Sequence, residues 1–392
     1  MASTPMDLDR PDRGTPGGSS LNIARTLGGS IGPSSPLSEI IASFRPAKLF
    51  KRDDIKDGRP QPYVQCLDYD DEGELCMVSA SDETIQIYNV KEGRHEKSLL
   101  SKKYGIKLAK FTHTKSSIIY ASTKQNNAIR YLATHDNSFI RYFDGHEANV
   151  TCLTVHPGSD NFISCGQDDT VRMWDTQSKH CQGLLNLRHP TLAAYDPAGL
   201  VFAVACPPSG AIFLYDVREY QKGPFLAIDV IAKGRDYDVQ NLAKGWTKLE
   251  FSNDGRSLLL GTKGDGHFLF SATSDELKGF LRRPNGPSRR LAPDQVVASN
   301  GLSTDGVRLD SSGDCCFAPD GRFVVGGGKK DVLVWDVRKQ PVEGGMPESK
   351  VMEPVYTLKD KREAAVVAFN PRYNFLATAD QDLVFWMPDP HG

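Results

Sequence analysis

Few side chains in this sequence stand at spacings that could do chemistry, and each such group misses a second requirement. His146-Glu147 opens like the H-E-x-x-H helix that grips zinc with two imidazoles one turn apart, but the fifth residue is Val150. Gly28-Gly-Ser-Ile-Gly32 spells the G-x-S-x-G elbow that lifts a nucleophilic serine between a strand and a helix. It lies in a Gly-, Pro- and Ser-rich run with neither element beside it. Gly326-Gly-Gly-Lys-Lys330 ends in lysines, as a phosphate-cradling loop does, yet lacks the upstream glycine at the required spacing. Cys66, Cys76, Cys152, Cys165, Cys181, Cys206, Cys315 and Cys316 include no C-x-x-C pair for a metal or a redox couple. Most sit in apolar runs such as VQCLDY and FISCG, where a thiol acts as a small hydrophobe. The residues predict no catalytic centre, no metal and no cofactor.

The 392 residues are 39% hydrophobic and 24% charged, enough to bury a large core. A formal charge of −2 argues against a surface built throughout to hold nucleic acid, though a local basic face is compatible with it. No run of about 18 apolar residues occurs, and MASTPMDLDRPDRG lacks the apolar stretch of a secretory signal. The expectation is a chain that neither spans a membrane nor is secreted, with reduced thiols.

Residues 1–36 are rich in Gly, Pro, Ser and Thr and read as a disordered tail. Beyond them come short, β-branched apolar runs separated by Asp-Gly, Asn-Asp-Gly and Pro-Asp-Gly turns, an all-β pattern. The order strand, turn, strand, turn, strand recurs seven times, with first strands starting near 66, 108, 151, 192, 248, 315 and 366. The core period is about 40 to 45 residues, lengthened late in the chain by insertions.

That period, with Trp-Asp endings, resembles the WD-repeat family, whose units are four-stranded blades of a β-propeller. The third unit carries Gly145-His146 before its first strand, Ser164 in its second, Asp168 in the tight turn and Trp174-Asp175 closing its third. The resemblance implies a structural tetrad of His146, Ser164, Asp168 and Trp174, not a catalytic dyad. Asp82, Asp265 and Asp380 take the turn position in units one, five and seven, while Ser209 and Lys329 replace it in units four and six. The predicted fold is a seven-bladed propeller over 37–392, closed by a strand at 42–50 lying beside Phe385-Trp386.

In such a ring one face, here the top, collects the connections between blades and the turns between second and third strands. Its loops are rich in cations, and Lys102, Lys103, Arg141, Arg188, Arg235, Lys244, Lys361 and Arg362 are the candidate contacts for a phosphorylated peptide, since Arg and Lys pair with phosphate oxygens. Ordinary solvated loop charge is the alternative.

Longer segments narrow the family. SFRPAKLF, SKKYGIKLAKFTH, IRYLATHDNSFIRYFDGH, AAYDPAGLVFAVA, LYDVREYQKGPF and FNPRYNFLATADQDLVFWMP resemble the WD-repeat propeller subunits shared by the COMPASS (Set-one) histone H3 lysine-four methyltransferase complex and a nuclear phosphatase and cleavage-and-polyadenylation assembly. The likeness runs from about 43 to 388 and departs in the tail, the 283–310 insertion and the connection from Asp336 to Val355. Those lengths resemble a fungal version. The resemblance implies a nuclear, non-catalytic scaffold. Its implied partners are the methyltransferase catalytic subunit, a polyadenylation-factor or phosphatase-targeting subunit, and the phosphorylated C-terminal repeats of RNA polymerase II.

Three other readings stay open. Trp335-Asp-Val-Arg338, echoed by Tyr215-Asp-Val-Arg218, resembles the box by which substrate receptors dock the adaptor of a cullin-four ubiquitin ligase. RNA could lie on the basic rim with Tyr104, Tyr237 and Trp246 stacking on bases. A channel hydrolase would need a carboxylate pair that the top loops do not offer.

Overall fold

Seven antiparallel sheets stand around a common axis in the computed structural model, which describes residues 36–51, 62–237, 245–284, 313–328, 330–339, 350–360 and 362–389. The blades span 64–100, 107–143, 150–186, 192–229, 246–282, 315–359 and 366–388, and the strand Phe44–Phe50 supplies the outer edge of the last. The protein is a seven-bladed β-propeller. Residues 1–35 and most of the 283–310 insertion, with Lys244, Lys329 and Lys361, lie outside the described residues.

Burial explains the sequence pattern strand by strand. Blade 3 runs Val150–Val155, Asn161–Gly166, Thr170–Asp175 and Cys181–Asn186 from axis to rim. Its second strand is buried on both faces after the first residue, because each side of the blade is covered by a neighbour. Such strands read as continuous apolar runs; outer strands, half solvated, alternate. Between blades the core is aromatic and aliphatic: Phe162 stacks on Trp174, and Phe143 of blade 2 meets both rings edge-on. The turns from second to third strand need a left-handed residue, supplied by Glu83, Asp169, Gly210 and Lys330.

The ring closes through its N-terminal segment. Phe44–Phe50 pairs antiparallel with Leu383–Pro388, and Pro46, which has no N–H to give, sits at a register shift on the outer edge. Just before it a single helical turn (Leu37–Ile40) drops Leu37 and Ile41 into the same apolar cluster as Phe44, between blades 6 and 7 with Phe323, Val334, Val367 and Trp386. Closure therefore joins backbone pairing to an apolar plug.

Outer strands also hold the next blade, by one repeated device. The outer-strand residue beside the local register shift faces the turn between third and outer strands of the following blade. In blade 1 Lys97 Nζ donates to Thr134 O, 3.2 Å away, and in blade 2 Arg141 Nη1 donates to Thr176 O. In blade 3 the position is Gly183, beneath the Tyr220 hydroxyl, and in blade 5 it is Gly279, beneath Met352. A Cβ on Gly279 would stand 2.8 Å from Met352 Cε. Arg141 is thus not in a top loop, as the sequence suggested; it lies in the outer strand Phe139–Phe143 and ties blade 2 to blade 3.

One pairing departs from the regular plan. Val351–Met352, in the long connection of blade 6, runs parallel to the outer strand of blade 5 (Leu277–Arg282) as a fifth strand, with Phe280 N donating to Lys350 O at 2.8 Å. Lys350 pairs with Glu276 at 3.1 Å and Arg282 with Glu353 at 3.2 Å, so charge fixes both ends of this short addition.

Candidate functional site

The tetrad of blade 3 is built from four places in the sequence that the strands bring together. Trp174 Nε1 donates to Ser164 Oγ (2.8 Å), and the serine hydroxyl donates to His146 Nε2 (2.6 Å). His146 Nδ1 faces both Asp168 oxygens at 3.0 Å. Burial holds His146 below its usual pKa, although Asp168 pulls the other way, so the ring is the neutral Nδ1–H tautomer. Asp168 is itself buried, which opposes its charge, but Glu147 N, Thr170 Oγ1 and His146 donate to it and bring its pKa below the usual carboxylate value. Every member is engaged, and His146 is buried. Asp82 repeats the turn in blade 1, accepting from Thr84 Oγ1 at 2.7 Å, while in blade 7 Trp386 Nε1 donates to Thr378 Oγ1 at 2.9 Å. Ser209 of blade 4 instead closes a short 3-10 turn onto Cys206 O.

The axial channel carries charge that is also spent on the ring. Asp68 pairs with Lys110 at 2.7 Å and accepts from Phe111 N of the next blade. Glu250 accepts from Phe317 N and Asp314 from Val367 N, again one blade on. Cys66 and Cys152 donate to Ala109 O and Ala193 O in the same sense. Burial pushes the Cys66 thiol up to about 11, so it stays protonated as that donor. All eight cysteines are free thiols.

A third set of links joins turns on the bottom face. His113 Nδ1 faces Asp71 Oδ2 at 2.7 Å and its Nε2 faces His156 O at 2.8 Å, so one imidazolium bridges blades 1, 2 and 3. Burial works against this charge, yet Asp71 and the carbonyls outweigh it and raise the pKa. His156 Nε2 continues to Gly199 O, and Asn370 Nδ2 reaches Gly73 O across the closure. Sequence reasoning missed these roles, although His113 and His156 stand one repeat apart.

The remaining cations fall into different environments. Lys102 and Lys103 are exposed in the turn after blade 1, and neither forms an ion pair among the described residues; Arg188 and Arg235 are likewise exposed. Arg362 is held by Asp360 at 2.9 Å. Acids share the top face, with Glu83 on Lys124 and Asp169 on His189, so the rim is mixed rather than uniformly basic. Of the aromatics suggested for base stacking, Trp246 is buried, Tyr237 packs on Phe280, and Tyr104 lies on the Arg130 guanidinium 3.5 Å from its ring centre. In Trp335-Asp-Val-Arg338, Asp336 pairs with Arg322 at 2.7 Å and Arg338 Nη2 donates to Asp320 O, all within the blade's own turns.

Residues 137–175, the blade with the full tetrad and the strand before it, match the WD domain, G-beta repeat family. Over 365 residues the chain is 34% identical to the Set1 complex component swd2 of Schizosaccharomyces pombe, covering 89% of this chain and 98% of that one. It is 33% identical to the COMPASS component SWD2 of Saccharomyces cerevisiae, over 88% of this chain and 98% of the yeast protein. The chain belongs to the Swd2 family of WD-repeat propellers. WD repeat-containing protein 82 of Drosophila melanogaster is 32% identical over 90% of this chain and 96% of its own length. The Swd2-family match takes in about nine-tenths of this chain, whereas the WD signature picks out residues 137–175.

Proposed function

We propose that the protein is a non-catalytic nuclear scaffold subunit of a Set1-type (COMPASS) histone H3 lysine-four methyltransferase complex. Through the same ring it serves an mRNA cleavage and polyadenylation and phosphatase module, and connects both to the phosphorylated C-terminal repeats of RNA polymerase II. The observation that carries this reading is similarity over 89% and 88% of this chain to the Set1 complex component swd2 and the COMPASS component SWD2. The commitment of the channel carboxylates, His146 and Asp168 to the ring itself fits a subunit that acts by raising the effective concentration of its partners. The nuclear placement follows from histone H3 as the substrate of that complex.

Expressed in fission-yeast cells lacking swd2, the full chain is expected to restore lysine-four methylation of histone H3 and to co-purify with the methyltransferase. A soluble, folded chain that does neither overturns the reading. For the polymerase contact, Lys102 and Lys103 are adjacent exposed cations that form no ion pair among the described residues. Reversing both to Glu is expected to weaken binding of a phosphorylated repeat peptide at least fivefold, with a smaller change for the unphosphorylated one. Equal affinity before and after removes that turn from the contact.

A further inference from the structure

Blade 2 holds a cation that no carboxylate among the described residues neutralises. Arg130, in the third strand (Ile129–Ala133), is only 2% exposed, and no carboxylate reaches its guanidinium among the described residues. Nε donates to Ser122 Oγ at 2.8 Å and Nη2 to Asn126 Oδ1 at 3.1 Å, both neutral acceptors. Its planar faces are covered by tyrosines: the Tyr104 ring centre lies 3.5 Å away and that of Tyr142 4.9 Å. The unpaired Lys102 and Lys103 stand in the same turn as Tyr104, with Lys103 Nζ 5.1 Å from that ring. A desolvated charge is weakly screened, so these three cations make the shoulder of blade 2 electropositive although the whole chain is nearly neutral.

The strand beside this cluster is built for company. Phe139–Phe143 is the outer strand of blade 2, and its far edge has no partner strand among the described residues. Six large apolar side chains are exposed among the described residues; two of them, Ile140 at 47% and Tyr142 at 43%, stand on this one strand. An open edge with exposed apolar residues invites strand addition. The chain performs the same operation on itself at blade 5, where Val351–Met352 adds to the outer strand with ion pairs at both ends.

We propose that the outer edge of blade 2 docks an extended acidic segment of a partner protein. The segment adds as a strand to Phe139–Phe143, laying apolar side chains on Ile140 and Tyr142 and its carboxylates toward Lys102 and Lys103. Arg130 is a positioning residue: it fixes Tyr104 and Tyr142 and supplies field, without touching the segment. The proposal extends the scaffold reading and rests on it for a protein partner as the occupant.

The test uses the full chain and a fluorescein-labelled heptapeptide of alternating glutamate and valine with a central tyrosine, beside a twin with lysine for glutamate. The acidic peptide is expected to bind at least tenfold more tightly than its twin. Ile140→Asp and the Lys102→Glu/Lys103→Glu pair should each lower that affinity at least tenfold. Bound peptide should slow hydrogen exchange of the 139–143 amides. Equal binding of the twin, or unchanged affinity in Ile140→Asp with these amides unprotected, overturns the proposal. Titrating the phosphorylated polymerase peptide against Ile140→Ser, which removes the apolar contact without adding charge, separates the two readings: this variant leaves a purely ionic contact intact. Failure of methyltransferase capture alongside acidic-peptide binding counts against the COMPASS assignment and leaves the docking edge standing.

Discussion

Two histidines of this ring answer pH in opposite senses because their neighbours differ. His113 has both nitrogens on acceptors, so the fold favours its charged form and its pKa lies above 6.5. The stability it contributes is complete below about pH 6.5 and is lost as pH rises through the folded value. Replacing His113 with Gln is therefore expected to flatten the decline of Tm between about pH 6 and 8, by about 2 °C; thermal unfolding at both ends of that range checks it. Burial, with the Arg172 charge beside it, holds His146 below its usual pKa against the pull of Asp168. Its contribution is present above about pH 6.5 and is lost as pH falls through its lower folded value. Ser164→Ala leaves Trp174 Nε1 and His146 Nε2 without their shared partner, a loss of about 1–3 kcal/mol. Denaturant unfolding at neutral pH is expected to show it. The type of each tetrad residue was legible from Gly-His and Trp-Asp spacing. The role of His113 was not, because one acceptor, Asp71, stands 42 residues before it and the other is the backbone carbonyl of His156 one blade on, and a carbonyl has no sequence signature.

At the scale of elements, the N-terminal strand matters most for its size. Phe44 is fully buried against Phe369 at 5.9 Å, and truncation to Ala is expected to destabilise the ring by about 3–5 kcal/mol. Removing 37–50 altogether exposes the edge of Leu383–Pro388 and the cluster beneath it, so the shortened chain is expected to aggregate on expression, measured as soluble yield. Arg141 illustrates how an element reassigns a residue. Between Ile140 and Tyr142 in sequence it looks like another rim cation; as the strand residue facing Thr176 O it is a tie between blades. Arg141→Ala is expected to lower stability by about 1 kcal/mol while leaving phosphopeptide affinity unchanged, a combination that a titration and a melting curve on one sample distinguish.

For the molecule as a whole, a charge of −2 says little about where charge acts. Folding pairs Glu83 and Asp360 with cations of the top face, sets Asp169 against His189, and leaves Lys102, Lys103 and Arg130 without acids among the described residues. Binding at the blade 2 shoulder is accordingly expected to weaken with added salt while Tm hardly moves. The seven repeats, the all-β class and blade 3's tetrad were readable in the sequence alone, because a repeated burial environment imposes a repeated pattern of apolar, turn and Trp-Asp residues. So was the Swd2-type likeness of the chain, carried by long matching segments. Which cations are spent on the ring, the fifth strand at blade 5 and the caged Arg130 were settled only by tertiary structure. Each depends on contacts between blades or on an edge left open, and neighbours across a blade boundary are some forty residues apart in the chain, beyond the reach of any local pattern.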